Sequence, residues 1–233
     1  MMKDFGSVSP LKVLEGSSQK VLGRGNLGVL IAHAGVGKTT CLIHIAFEKL
    51  FREEKLVHIS LDNMPEKITS YYDVIFSDLV AAMKLDDELE IRTLLERNRM
   101  ILAYLNQSFE IGRLQENLKN LAEKVGFSPD TLIVDGLDFE KAERNLFEGF
   151  KDIATQFDVE VWFSALSHRH LPDVNERGIP YPCNRHDDLF GIIMQLQHTQ
   201  SGIYLNLLKD QEGGPKSDVS LRLDPETFLA LKP

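Results

Sequence analysis

The sequence predicts an α/β fold of three layers, with a mostly parallel central sheet between helices on both faces. Three observations predict it. Short apolar runs at residues 28–33, 56–61, 131–135 and 159–166 read as strands buried on both faces. Segments between them carry apolar residues at helical spacing. A glycine-bearing turn, Gly35-Val36-Gly37-Lys38-Thr39, joins the first run to the first helix.

Residues 1–25 read as a leader that ends in the breaker cluster Gly23-Arg24-Gly25-Asn26. The strand at 28–33 leads into a helix marked by Leu42, Ile45, Ala46 and Leu50. The strand at 56–61 is followed by Pro65, well suited to open a helix. Residues 84–99 are charge-rich and helical in pattern, a surface excursion, and 100–105 reads as a third strand. Leu114, Leu118, Leu121, Ala122 and Val125 mark one face of a helix, which Ser128-Pro129-Asp130 ends. After the strand at 131–135 comes a helix with Leu146, Phe147, Phe150, Ile153, Ala154 and Phe157 inward. Beyond the strand at 159–166, residues 167–188 read as a long loop, a length that points to function. Short strands at 192–196, 204–208 and 219–223 then extend one edge of the sheet as hairpins.

Composition bounds the function. Hydrophobic residues are 43% and charged residues 26% of the chain, ordinary for a globular fold that buries a core. No run approaches the roughly 18 apolar residues of a membrane span, and no signal-peptide pattern opens the chain. Cys41 and Cys183 form no CxxC pair, so a reducing cytoplasm is the expected compartment. The net charge of −9 argues against general attraction to nucleic acid, although a local basic loop at an oligomer's centre would readmit it.

The chemistry concentrates in residues 32–40. Ala32 stands where the strict phosphate-loop pattern has Gly, and Gly37-Lys38-Thr39 completes the relaxed form. Small residues let the backbone N–H groups of Ala34, Gly35, Val36, Gly37 and Thr40 converge on one anion. The helix beginning near Lys38 adds its positive end. Lys38 brings a mobile charge to the outer phosphates, and the Thr39 hydroxyl suits magnesium, which prefers oxygen ligands. ATP, or a closely related nucleotide, with Mg2+ is therefore the expected ligand. In Thr131-Leu132-Ile133-Val134-Asp135 an apolar strand ends in an acid, the Walker B pattern, and Asp135 would hold magnesium through its water shell. Asp138 is either a further partner of that shell or a loop charge. The chain divides into a leader at 1–25, a nucleotide-binding core at 26–215, and a terminal strand and tail at 216–233, all in one domain.

On these residues the sequence resembles the RecA-like ATPases, particularly the KaiC and DnaB-type helicase branch. The resemblance covers roughly residues 23–214, through the loop at 32–40 and the segments 57–68, 131–138 and 163–214. It implies that Asp62 stands where relatives carry a catalytic glutamate, Asn63 where clock-type relatives carry a second acid, and Ala165 where helicases carry a sensing glutamine. Lys209 matches the first basic residue that reaches a neighbouring subunit's ATP, while Gln211 replaces the usual arginine. Aspartate is one methylene shorter than glutamate, and a misplacement of about 1 Å can cost on the order of a hundredfold in rate. An arginine finger contributes about a thousandfold or more. The resemblance thus implies slow hydrolysis and a homo-oligomer or protein partner. The absence of an NKxD motif leaves ATP preferred over GTP.

Alternatives stand beside each residue. Asp62 is otherwise a strand-end turn residue, and Lys209 a solvated edge-strand lysine. Arg169 either approaches phosphate or pairs with an acid such as Asp173. His168, His170 and His186 with Cys183 fit no standard zinc spacing and read as loop residues. His33 either touches nucleotide or fills surface, and His58 faces a helix. Three functions remain: an ATPase motor or clock-like remodeller, a nucleotide-dependent switch or scaffold, and an accessory ATPase on nucleic acid.

Overall fold

The apolar runs all enter one sheet. A computed structural model describes residues 2–16, 21–168, 173–212 and 219–231. In chain order its elements are β1 (Leu27–Ala32), α1 (Lys38–Leu50), β2 (Leu56–Ser60), α2 (Pro65–Met83), α3 (Glu88–Asn98), β3 (Arg99–Ala103), α4 (Ile111–Asn120), β4 (Thr131–Asp135), α5 (Arg144–Gln156), β5 (Glu160–Leu166), β6 (Ile192–Thr199), β7 (Gly202–Lys209) and β8 (Ser220–Leu223). The strand order is β3-β2-β4-β5-β1-β6-β7-β8. Strands β1 to β6 run parallel, β7 runs antiparallel to β6, and β8 antiparallel to β7. The last three strands do extend one edge, as expected, but the first of them pairs parallel to β1 before the hairpin begins.

Burial explains the sequence patterns. Every residue of β1, β2 and β4 is buried, because helices cover both faces. Leu30, Ile133 and Trp162 face α1, α2 and α3, while Val29, Val134 and Phe163 face α4 and α5. By contrast, β7 alternates half-buried and buried residues along its length, so one of its faces lacks a helical layer. No helix among the described residues is long and apolar enough to cross a membrane.

One expectation is corrected, the face of Val125, and three gain detail from burial. Residues 1–25 are not only a leader: Phe5, Val13, Leu14 and Leu22 are buried in the core that α1 also enters. The charge-rich excursion is anchored, since Ile91 and Leu95 of α3 enter the core. Val125 does not share the face of Leu114 and Leu118; it is 63% exposed. A π-helical turn at Leu121–Val125 follows α4, and its wider repeat rotates later side chains off that face. The long loop is packed where it is described, with Ile179 and Cys183 fully buried. Arg169 and His170, and Gly213 and Gly214, lie outside the described residues.

At the amino ends of the central strands a buried ion pair joins α1 to β5. Lys49 Nζ lies 2.5 Å from Glu160 Oε1, with both side chains about 5% exposed. The indole of Trp162 and the hydroxyl of Thr131 donate to the same oxygen at 3.2 and 3.3 Å. A lone buried carboxylate is far worse than a buried pair. Lys49→Met should therefore lower the unfolding free energy by about 3–5 kcal/mol, read from urea denaturation at neutral pH.

Candidate functional site

Four loops converge at the carboxyl ends of β1, β2, β4 and β5, the edge at which open parallel sheets bind ligands. Because β5 lies between β1 and β4, the two strands whose ends carry the candidate chemistry are not neighbours. The loops enclose a cleft of about 680 Å³. Ala34, Gly35, Gly37, Lys38, Thr39 and Thr40 line one wall, and Asp62, Asp135, Asp138, Glu140, Ser164 and His168 line the rest. Val36 is the exception in its loop: its side chain is buried in the core.

Gly37 is the N-cap of α1, at φ 101° and ψ 31°. A glycine is required there for its left-handed backbone and for room, because a β-carbon would lie 2.3 Å from the ring of Phe228. No side chain caps α1, so the amides of its first turn are open to an anion or solvent. His33 ties the loop to the end of β5: its Nδ1 donates to the Ser167 carbonyl at 3.0 Å. Lys38 folds back over the loop, and its Nζ donates to the His33 carbonyl at 3.3 Å. Partial burial lowers the Lys38 pKa, against the opposing pull of Asp135 and Asp62.

Asp135 is 3% exposed. Thr39 Oγ1 donates to its Oδ2 at 2.7 Å, and Ser164 Oγ donates to its Oδ1. Thr39 and Asp135, separated in sequence, thus present adjacent oxygen ligands of the kind magnesium takes. Among the described residues, no group of three His, Cys, Asp or Glu side chains is gathered to hold a metal alone. His168 instead meets Glu140 at 2.8 Å, and His186 packs on Phe147 at 5.2 Å between ring centres.

Asp62 follows β2 and faces the turn after β4. A β-carbon on Gly136 would fall 2.5 Å from the Asp62 carboxyl carbon, so glycine admits the close approach. The Asn63 side-chain amide donates to Asp62 Oδ1 at 2.6 Å. Partial withdrawal from water, and then the Asp135 carboxylate, hold the Asp62 pKa above its ordinary value of 3.8; Asn63 pulls it down.

Lys209 is not brought to the cleft of its own chain. It is buried on β7, and its Nζ donates to the Asp187 carbonyl at 2.6 Å. Reaching a neighbour's ligand would require leaving that carbonyl. Gln211 is likewise engaged, donating to the Leu22 carbonyl. Ala165 is fully buried, and Ser164 beside it faces Asp135. Ser164, Tyr71, Glu140 and Phe228 are additions to the residues read from the sequence. Only Ser164 had a signal there: strict alternation puts it on the opposite face from Phe163 and Ala165.

No protein-family model matches the chain, and a search of curated proteins returns no match.

The raised pKa of Asp62 sets a sign. The folded state holds this proton more tightly than the unfolded chain, so stability falls as pH rises from about 4 through the folded pKa. Asp62→Asn carries no such charge. The melting temperature of the variant relative to the native protein should therefore be higher at pH 7 than at pH 4, measured by circular dichroism.

Proposed function

We propose that the chain is a Mg-ATP-binding ATPase of RecA-like, three-layer type, with slow hydrolysis, acting as an oligomeric remodeller or regulator in the cytoplasm. The observation that carries the reading is the meeting of Thr39 and Asp135 beside the uncapped start of α1 and Lys38. A hydroxyl, a carboxylate, a lysine and free helical amides are what a magnesium-bound triphosphate needs, and the geometry supports that use.

In this reading the amides of residues 34–40 and Lys38 hold the phosphates. Thr39 and Asp135 hold the metal, and Ser164 keeps the second Asp135 oxygen oriented. Bound Mg2+ would neutralise charge on the phosphates. Asp62 orients the attacking water, and its raised pKa makes it a better proton acceptor than an ordinary aspartate. Water adds to the terminal phosphorus as the bond to ADP breaks, and the water's proton passes toward Asp62. Apart from Lys38, the cleft carries Asp62, Asp135, Asp138 and Glu140. Positive charge on the leaving side must come largely from the metal or a neighbouring subunit.

A second reading, a nucleotide-dependent switch or scaffold, is favoured by the internal bonds of Lys209 and Gln211. With Lys209 engaged within its own chain and Gln211 uncharged, a trans-acting cation is harder to supply. Action on nucleic acid is disfavoured by the net charge of −9.

Steady-state Mg-ATP hydrolysis measured against protein concentration, with Lys38→Ala as the blank, tests the proposal. Turnover above the blank that rises per subunit with concentration is expected. Turnover equal to the blank at every concentration would end the catalytic reading, and tight Mg-ATP binding would then favour the switch. Lys38→Ala should weaken ATP binding by about tenfold or more, the scale of losing a charge-assisted phosphate contact.

A further inference from the structure

We propose that Phe228 is a positioning residue for the phosphate loop, holding Gly37 in the conformation that turns the loop amides toward a phosphate; this rests on the nucleotide-binding reading above. Its ring stands in the space that any side chain on Gly37 would need, 2.3 Å from the place of a β-carbon. Phe228 does not line the cleft, so the ring acts on the loop from behind.

The backbone of Phe228 is the second observation. Its φ is 56°, in the left-handed region that a bulky side chain rarely enters. Such strain persists only where the surroundings over-determine it, and it gathers near functional sites. Here the surroundings are visible. Asp224 Oδ1 accepts from the amides of Glu226 and Thr227 and from the Thr227 hydroxyl. The Phe228 amide donates to the Asp224 carbonyl, and the Asp224 amide to the Leu229 carbonyl, both at 2.8 Å. The Ala230 amide donates to the Val8 carbonyl at 2.6 Å. The turn after β8 is thus fastened to the N-terminal segment, and Phe228 is 8% exposed.

Gly37, without a side chain, has wide conformational freedom unless something bounds it. The ring bounds it. Without the ring the loop must order itself when phosphate binds, and that ordering is subtracted from affinity. A residue that merely fills the core would change stability and leave phosphate affinity alone. A residue stacked on the base would change ATP affinity and leave a base-free polyphosphate alone.

The test titrates Mg-ATP and magnesium tripolyphosphate against the native protein, Phe228→Leu and Phe228→Ala, with melting curves to confirm folding. Phe228→Ala should weaken both ligands by about tenfold, and Phe228→Leu, which refills part of the space, by about threefold. A folded Ala variant that binds both ligands as the native protein does would overturn the proposal. So would loss of ATP affinity alone with tripolyphosphate binding intact. If the Ala variant does not fold, the Leu variant decides, and native affinity for both ligands overturns the proposal. If the native protein binds neither ligand, the nucleotide reading itself has failed and the proposal falls with it.

Discussion

Asp135 sits at the end of a central strand and is almost wholly withdrawn from water. A carboxylate can be kept there only if donors meet it, because a buried charge without partners is strongly unfavourable. Two hydroxyls do so, Thr39 from the first turn of α1 and Ser164 from β5. Each comes from a different element, so the carboxylate holds three pieces of the chain in one register. Gly136, just beyond, leaves the room through which Asp62 from the β2 end joins them. The candidate site is the consequence of that one group's need for partners.

The two ends of the central strands handle charge differently. At the amino ends, Lys49 and Glu160 neutralise each other in the interior. At the carboxyl ends, Lys38 faces a carboxylate excess, and the Asp135 carboxylate adds to the cost of ionising Asp62. A structural pair needs nothing further. A cleft with more carboxylates than cations retains electrostatic energy that a matched pair does not.

The terminal segments matter more than their place in the chain suggests. The N-terminal turns supply Phe5 and Leu14 to the face of α1, and the Val8 carbonyl receives the amide of Ala230. Phe5 lies against both His44 and Phe51 of the α1 region. The helix that begins at Lys38 is therefore braced along its length by both ends of the described chain.

By itself the sequence determined the strands that helices cover on both faces, because such strands must be continuously apolar, and β1, β2, β4 and β5 were legible for that reason. It also determined the turn at Gly35 and Gly37, since a left-handed backbone is a local requirement that glycine meets. Asp135 was legible as a strand-end acid. Only the tertiary structure decided what meets what. It set the Ser164 hydroxyl against Asp135, bound Lys209 to the Asp187 carbonyl, and moved Val125 out of its helix face through a π turn. It also drew residues 5–14 into the core and set Phe228 behind Gly37. Periodicity records which face of an element is buried, whereas these contacts join residues far apart in the chain. They exist only once the sheet order has brought those residues together.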